Sequence, residues 1–135
     1  MTASNRWLLI AALNGLAAVI AGAWGAHGLG GEERLRDSFN NGVQYQMWHS
    51  LALFGIAWLT GGGTGKEGAS AQAPGRAKWA GYAGWLFVAG IVLFSGSLYF
   101  YGMTGSVPFS GSAPVGGVTL MAGWAVLAFA ATRRN

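Results

Sequence analysis

The stretch Trp7–His27, WLLIAALNGLAAVIAGAWGAH, decides the fold because it contains no charged side chain. A helix needs about 20 mainly apolar residues to cross the hydrocarbon core of a bilayer. Two more uncharged stretches follow, one between Asp37 and Lys66 and one between Lys78 and Arg133. Charged residues make up only 9% of the chain, against about 25% in a typical soluble domain. The sequence therefore predicts a membrane protein.

Four spans account for these stretches. The last uncharged stretch, residues 79–132, would form a rod of about 80 Å as one helix, and its middle, residues 102–114, is rich in glycine, serine and proline. We therefore predict an all-α integral membrane four-helix bundle, a single domain over residues 1–135. The predicted spans are about 7–27, 44–61, 79–102 and 114–132. Ala21-Gly22-Ala23 also resembles a signal-peptide cleavage site, but the apolar segment continues past it, which favours a span.

The two connections that flank span 2 differ in composition. Between spans 1 and 2, Leu35, Phe39 and Val43 recur every four residues among charged neighbours. This pattern predicts a short amphipathic helix at the membrane interface. The linker 61–78 is instead rich in glycine, alanine and serine, and we expect it to be flexible.

The basic residues predict the orientation of the bundle. With four spans, both termini and the 61–78 linker face the same side. That side carries six of the eight basic residues, Arg6, Lys66, Arg76, Lys78, Arg133 and Arg134, whereas Arg34 and Arg36 lie on the other. The positive-inside rule makes both termini cytoplasmic and predicts a multi-pass protein of the bacterial inner membrane. The net charge of +4 reflects this orientation, and no basic patch with interleaved aromatic residues predicts a nucleic-acid partner.

Span 2 begins with polar residues, VQYQMWHSLAL at Val43–Leu53. Gln46, His49 and Ser50 share one helical face, and Tyr45 lies one turn before His49. An unpaired polar group facing acyl chains costs several kcal/mol, so this face is expected to turn toward other helices or the headgroups. Two interpretations stay open, structural hydrogen bonding and binding of a ligand or ion.

Small residues predict where helices pack closely. Gly15, Ala18 and Gly22 recur on one face of span 1, and Gly90 lies on a second small-residue seam in span 3. Such residues let two backbones approach each other in a membrane. These faces favour packed helices and association with further helices.

A metal centre or an enzyme has little support. His27 and His49 are the candidate metal or haem ligands, since both lie toward the outer side of the predicted topology. No ligand spacing accompanies them, and no carboxylate lies within the spans, so no cofactor is predicted. The chain has no cysteine, which excludes thiolate ligands and disulfides. No nucleophile, base and orienting group can be assembled, so we predict that the protein is not an enzyme.

Four segments carry a resemblance to a known family. They are Gly22–Leu29, Val43–Leu53, Leu93–Tyr99 with Thr104-Gly105, and Ala113–Gly117 with Gly123-Trp124. In this order they resemble the YgdD/YwdK family of small four-helix membrane proteins, which is described as a domain of unknown function. The resemblance implies four membrane helices and no particular activity. The chain departs from the family where Asn41-Gly42 stands in place of an expected Thr-Ala pair, and in its glycine-rich linker.

The resemblance and the polarity of span 2 favour one site. We predict a polar cluster in the outer half of helices 1–3, formed by His27, Gln44, Tyr45, Gln46, His49, Ser95 and Ser97. Its hydrogen bonds would fix the register of the helices. The leading functional prediction is a structural or accessory component of a membrane assembly, as a homo-oligomer or as a subunit of a larger complex. The alternatives are a channel or carrier for a small solute through the cluster, and metal or haem binding.

Overall fold

Helices account for nearly all of residues 1–61 and 74–133, the part of the chain that the computed structural model describes. They are α1 (Ala3–Gly28), α2 (Glu33–Thr60), α3 (Pro74–Thr104) and α4 (Ser112–Thr132). Within these two ranges there is no strand. Three of the helices, α1, α3 and α4, are long and apolar enough to cross a membrane. The predicted all-α fold with four helices is confirmed.

Local signals in the sequence set where the helices begin. The hydroxyl of Thr2 accepts a hydrogen bond from the backbone N–H of Asn5 at 3.1 Å and so caps α1. α3 starts at Pro74, where the missing N–H costs nothing because the first turn of a helix has no partner for it. α4 follows Gly111, whose φ of 82° is a conformation that residues with a Cβ rarely adopt.

The structure differs from the prediction in the segment 33–43. These residues are helical, as predicted, but they continue without a break into α2 and do not form a separate interfacial helix. The reason is that their apolar stripe is covered by protein. Phe39 is 3% exposed. A Cβ added to Gly25 of α1 would lie 2.8 Å from the ring of Phe39, and a Cβ added to Gly102 of α3 would lie 2.7 Å from the Cβ of Phe39.

α1 and α2 run antiparallel along their full lengths. At one end the hydroxyl of Ser4 donates to the carbonyl of Ala57 at 2.9 Å, and at the other end Gly25 meets Phe39. Charged residues in its first turns and polar residues near its middle make α2 less apolar than the other three helices. That α2 crosses the membrane therefore stays a prediction. The antiparallel packing of α2 along the whole of α1 supports it.

Successive helices pack against each other, α1 on α2, α2 on α3 and α3 on α4. α4 lies close to α3 at Gly116, where a side chain would collide with the backbone of Phe94. Leu53 and Ile56 of α2 and Phe87 of α3 are fully buried in the apolar core. Because the four helices alternate in direction, the first turn of α1 and the last turn of α4 lie at the same end of the bundle.

The predicted linker 61–78 is only partly described. Residues 62–73, on which most of the expected flexibility rests, lie outside the described residues. Residues 74–78 form the first turns of α3, so the end of the predicted linker is helical. The apolar span thus begins one turn or more inside the helix.

Candidate functional site: a polar network inside the bundle

The polar network begins with two amides that face each other across α1 and α2. Nε2 of Gln46 donates to Oδ1 of Asn14 at 2.9 Å and to its backbone carbonyl at 3.2 Å. In return, Nδ2 of Asn14 donates to the backbone carbonyl of Gln46 at 3.4 Å. The amide orientations follow from this pairing. Gln46 is 7% exposed, so these bonds replace water that the site excludes.

A third helix completes the coordination of Gln46. The phenol of Tyr99 in α3 donates to Oε1 of Gln46 at 2.5 Å. Both hydrogens and the oxygen of the Gln46 amide are then engaged by protein. One side chain of α2 is therefore tied to α1 and α3 at once.

Two buried serines extend the network with bonds to backbone. Oγ of Ser50 receives a hydrogen bond from Nδ2 of Asn14 at 2.6 Å and donates to the carbonyl of Gln46 at 3.0 Å. Oγ of Ser95 in α3 donates to the carbonyl of Gly42 in α2 at 2.8 Å. A carbonyl within a helix that accepts a second bond is a common anchor between membrane helices.

Gly42 is the residue that lets α3 come this close. A Cβ at this position would lie 3.0 Å from Cε1 of Tyr99 and 3.2 Å from the carbonyl of Ser95. The alanine expected from the family resemblance would require the Tyr99 ring to move by a few tenths of an ångström. The departure at Gly42 thus belongs to the packing around the network.

His49 forms a second polar contact, between α2 and α4. Its Nδ1 lies 2.7 Å from the carbonyl of Tyr45, and its Nε2 lies 3.1 Å from the indole Nε1 of Trp124. A carbonyl only accepts and an indole N–H only donates. The pair of contacts therefore fixes the neutral tautomer with its proton on Nδ1. Phe87 and Trp124 enclose the imidazole at ring distances of 5.4 and 5.9 Å.

The structure places the predicted cluster residues in different surroundings. It brings Gln46 and Ser95 into the network and buries His49 beside it. Ser97 is buried but donates to Leu93 of its own helix. Gln44 and Tyr45 are exposed, and Tyr45 contacts His49 through its backbone carbonyl and through its ring, which is stacked on the imidazole at a centroid distance of 6.2 Å. His27 is exposed at the end of α1 and has no hydrogen bond to the described network.

His27 and His49 are too far apart to share a metal ion. Gly25 of α1 lies against Phe39 of α2, His49 follows Phe39 by ten residues, and His27 lies two residues beyond Gly25 in the opposite direction. At a rise of about 1.5 Å per residue, about 18 Å separates the two rings along the bundle. Both nitrogens of His49 are also engaged by Tyr45 and Trp124. Within residues 1–61 and 74–133, no group of three or more His, Asp or Glu side chains is arranged to hold a metal ion.

The network extends from mid-height of the bundle, at Asn14 and Gln46, into the predicted outer half, at Ser95 and Tyr99. Asn14 is the twelfth of the 26 residues of α1, and Gln46 is the fourteenth of the 28 residues of α2. The prediction placed Gln46 close to the outer surface because it began span 2 at residue 44. Since α2 begins at Glu33, three further turns precede Gln46.

Sequence reasoning missed Asn14 and underrated Tyr99. Asn14 was the available signal, because it is a lone amide between Leu13 and Gly15 in an otherwise apolar span. The rule applied to Gln46, that a polar group in lipid needs a partner, applies equally to Asn14. Tyr99 was not among the residues of the predicted cluster, yet its half-buried ring lies against Phe39 at a centroid distance of 4.8 Å and its hydroxyl donates to Gln46.

The predicted packing residues lie between helices. Cβ atoms on Gly15 and Gly22 would face Ser50 and Val43 of α2 at 3.9 and 3.2 Å, and Ala18 on the same face is fully buried. A Cβ on Gly90 would lie 2.5 Å from Cδ2 of Leu120. The small-residue face of α1 is therefore used within the chain.

Comparisons with known proteins agree with the motifs and the fold. Residues 21–117 match the family described as "Protein of unknown function (DUF423)". The chain is similar to the UPF0382 membrane protein YwdK of Bacillus subtilis (strain 168), with 44% identity over 55 residues, which are 39% of this chain and 45% of the relative. No solved structure matches the chain.

Two further relatives give the same result. A UPF0382 membrane protein of Staphylococcus epidermidis is 39% identical over 59 residues, covering 41% of this chain and 47% of the relative. A UPF0382 membrane protein of Haemophilus influenzae is 36% identical over 55 residues, which are 39% of this chain and 44% of the relative. The chain thus spans less than half the length of each of these relatives. The family match covers most of the chain, and the structure supplies helices suited to a bilayer, so the chain belongs to the DUF423 family and is a membrane protein.

Proposed function

We propose that the protein is a non-enzymatic structural or accessory component of an assembly in the bacterial inner membrane. The observation that carries this proposal is the saturation of Gln46. Asn14 accepts from both amide hydrogens of Gln46, and Tyr99 donates to its amide oxygen, so this buried side chain has no free donor to offer a solute. Hydrogen bonds of this kind fix the register of helices whose apolar surfaces slide easily.

Three of the four buried serines of the described residues, those in α2 and α3, support a non-enzymatic role. Ser50, Ser95 and Ser97 each donate to a backbone carbonyl. None of them donates to His49, whose nitrogens contact Tyr45 and Trp124. A serine nucleophile would need a base within hydrogen-bond distance. These serines therefore fit helix anchoring better than catalysis.

The outer helices support a role in a larger assembly. α1 packs on α2 along one side, and Leu9, Leu13, Leu16 and Ile20 form a stripe on the other side that is 47 to 60% exposed. In α4, Val118 and Met121 are similarly exposed. In the apolar 18-residue stretch of α1 that is long enough to cross a membrane, only 17% is buried, and in the corresponding stretch of α4 only 22% is buried. These faces offer lateral contact with a second copy or with another membrane protein.

The channel or carrier alternative has less support. The grooves at the two ends of the bundle, one lined by Trp7 and Trp85 and one by Asp37 and Tyr101, include neither Gln46 nor His49. A polar path for a solute would have to break the bonds among these buried groups.

Site-directed crosslinking tests the proposed assembly. Because the native chain has no cysteine, each single-cysteine variant reports on one position. Leu13→Cys and Leu16→Cys in α1, and Val118→Cys and Met121→Cys in α4, are oxidised in native membranes, and Ala11→Cys, at a fully buried position, is the control. We expect a disulfide or a bifunctional-reagent adduct at one of the two faces only. A chain that stays monomeric at all four positions, in membranes and in mild detergent, would contradict the proposal.

A further inference from the structure

We propose that the groove between α1 and α3 at the end that holds the N-terminus binds one anionic phospholipid. The groove has a volume of about 390 Å³, within the roughly 300–1,000 Å³ range of ligand pockets. Its walls are largely apolar and aromatic, with Trp7 and Ile10 from α1 and Tyr82 and Trp85 from α3. Such a surface suits an acyl chain.

Packing between α1 and α3 forms this groove. Trp7 is 6% exposed and packs against α3. A Cβ added to Gly84 of α3 would lie 2.5 Å from Cη2 of Trp7. The indole of Trp7 also meets the ring of Trp85 edge to face at a centroid distance of 5.3 Å. Trp7 thus forms the floor, and Trp85, which is 60% exposed, forms a wall that faces the membrane.

Two cations at the mouth give the groove its charge. Arg6 and Lys78 both line it, and Nζ of Lys78 lies 5.9 Å from the centre of the Tyr82 ring. The acidic residues of the described ranges, Glu32, Glu33 and Asp37, all lie at the opposite end of the bundle. The partial positive charge of the N-termini of α1 and α3 at this end is offset by the C-termini of α2 and α4, so the charge of the mouth comes from Arg6 and Lys78. A headgroup phosphate is the anion that this arrangement complements.

The position in the membrane favours a lipid over other occupants. Arg6 and Lys78 lie on the side that the charge distribution predicts to be cytoplasmic, where basic pockets between membrane helices bind anionic headgroups. The 62–73 segment connects α2 and α3 at this end, but its sequence, GGTGKEGASAQA, has no large apolar side chain to fill an aromatic groove. An anionic diacyl lipid matches both the apolar walls and the charged mouth.

Native mass spectrometry of the full chain tests this proposal. The protein is released from nanodiscs that contain equal amounts of phosphatidylglycerol and phosphatidylcholine, and the ratio of the two lipids in the singly lipidated protein is measured. We expect wild type to prefer phosphatidylglycerol, and Arg6→Gln with Lys78→Gln to reduce this preference by about fivefold for each cation removed. The matched control, Arg34→Gln with Arg36→Gln at the other end, is expected to keep it.

A second pair of variants tests the groove independently of its charge. Gly81 lines the groove and has open space where its Cβ would be, so Gly81→Trp fills the groove while both cations stay. Gly96→Trp, at an equally open position of the same helix, is its control. We expect lipid retention to be lost only in Gly81→Trp, with unchanged helical content by circular dichroism in both.

Four outcomes would overturn the proposal. The first is that wild type shows no preference for phosphatidylglycerol, and the second is that both charge variants lose this preference equally. The third is that inorganic phosphate displaces the bound lipid. The fourth is that Trp85→Cys forms disulfide-linked dimers whether or not lipid is present. The third outcome would indicate a free-phosphate site, and the fourth would indicate that a second copy of the chain occupies the groove.

Discussion

The indole of Trp124 donates a hydrogen bond to Nε2 of His49 at 3.1 Å and so links α4 to α2. The same imidazole contacts the carbonyl of Tyr45 through Nδ1 at 2.7 Å. A charged imidazole carries a proton on both nitrogens, so it would place two donors against each other at Nε2. The contact with Trp124 therefore requires the neutral ring.

Nitrogen NMR of histidine-labelled protein tests the tautomer of His49. The chain has two histidines, so His27→Gln assigns the spectrum. We expect a protonated Nδ1 and an unprotonated, hydrogen-bonded Nε2 for His49, and a shift of the Nε2 signal in Trp124→Phe. A proton on Nε2 in the wild-type protein would contradict the contact with Trp124.

Neighbouring glycines in α4 test the packing of α3 against α4. Gly116→Ala places a methyl group against the backbone of Phe94, which cannot yield as a side chain can. We expect it to reduce the free energy of unfolding by about 1–3 kcal/mol, the usual cost of overpacking. Gly117→Ala is the control, because its Cβ would lie 3.6 Å from Cδ2 of Phe94, an ordinary contact. Equal thermal stability of the two variants in detergent would show that α4 does not approach α3 at Gly116.

A flux assay separates the structural role from the carrier. Proteoliposomes that contain wild type, His49→Ala or Gln46→Leu are exposed to gradients of urea or glycerol, and their volume is followed by light scattering. We expect all three to match protein-free liposomes, because the polar groups inside the bundle are bonded to each other. A flux in wild type that Gln46→Leu removes would favour the carrier.

The two histidines are expected to behave differently when substituted. His27 is exposed, so His27→Ala should leave the melting temperature unchanged, whereas His49→Ala removes a side chain that is 4% exposed and leaves the Trp124 donor without its partner. Losing one such bond in a membrane protein costs about 0.6–2 kcal/mol. Metal analysis of the purified protein should find no stoichiometric metal in wild type or in either variant. A metal that His27→Ala displaces would restore the metal-binding hypothesis.

The sequence was sufficient for the helices but not for their pairings. Uncharged stretches and glycine-rich breaks predicted four helices because the hydrocarbon core imposes a minimum length on a span. The continuity of α2 was not predictable, since the apolar stripe at Phe39 suits either a lipid surface or a protein surface. Only the structure shows that Gly25 and Gly102 cover it.

The network was predictable in kind and not in detail. The position of Gln46 among apolar residues indicated that it needed a partner, but side-chain pairs between helices depend on register. Asn14, 32 residues earlier in the chain, proved to be that partner. His27 was wrongly predicted to join the cluster. A helix that began at residue 44 would have placed Gln46 and His49 near His27 at the outer end of α1, whereas the observed α2 begins at Glu33 and places them three turns farther from that end.

The most direct test of the account is a double-mutant cycle between Asn14 and Gln46. Asn14→Leu, Gln46→Leu and the double variant are unfolded reversibly in mixed micelles, and the free energies are compared. Each single substitution leaves the other amide without its partner between the helices, so we expect the double variant to lose less stability than the sum of the singles, with a coupling of about 1 kcal/mol. Asn14→Leu combined with Gln44→Leu, an exposed position of α2, should be additive. Additivity in both cycles would contradict the claim that the polar residues inside this bundle hold its helices together.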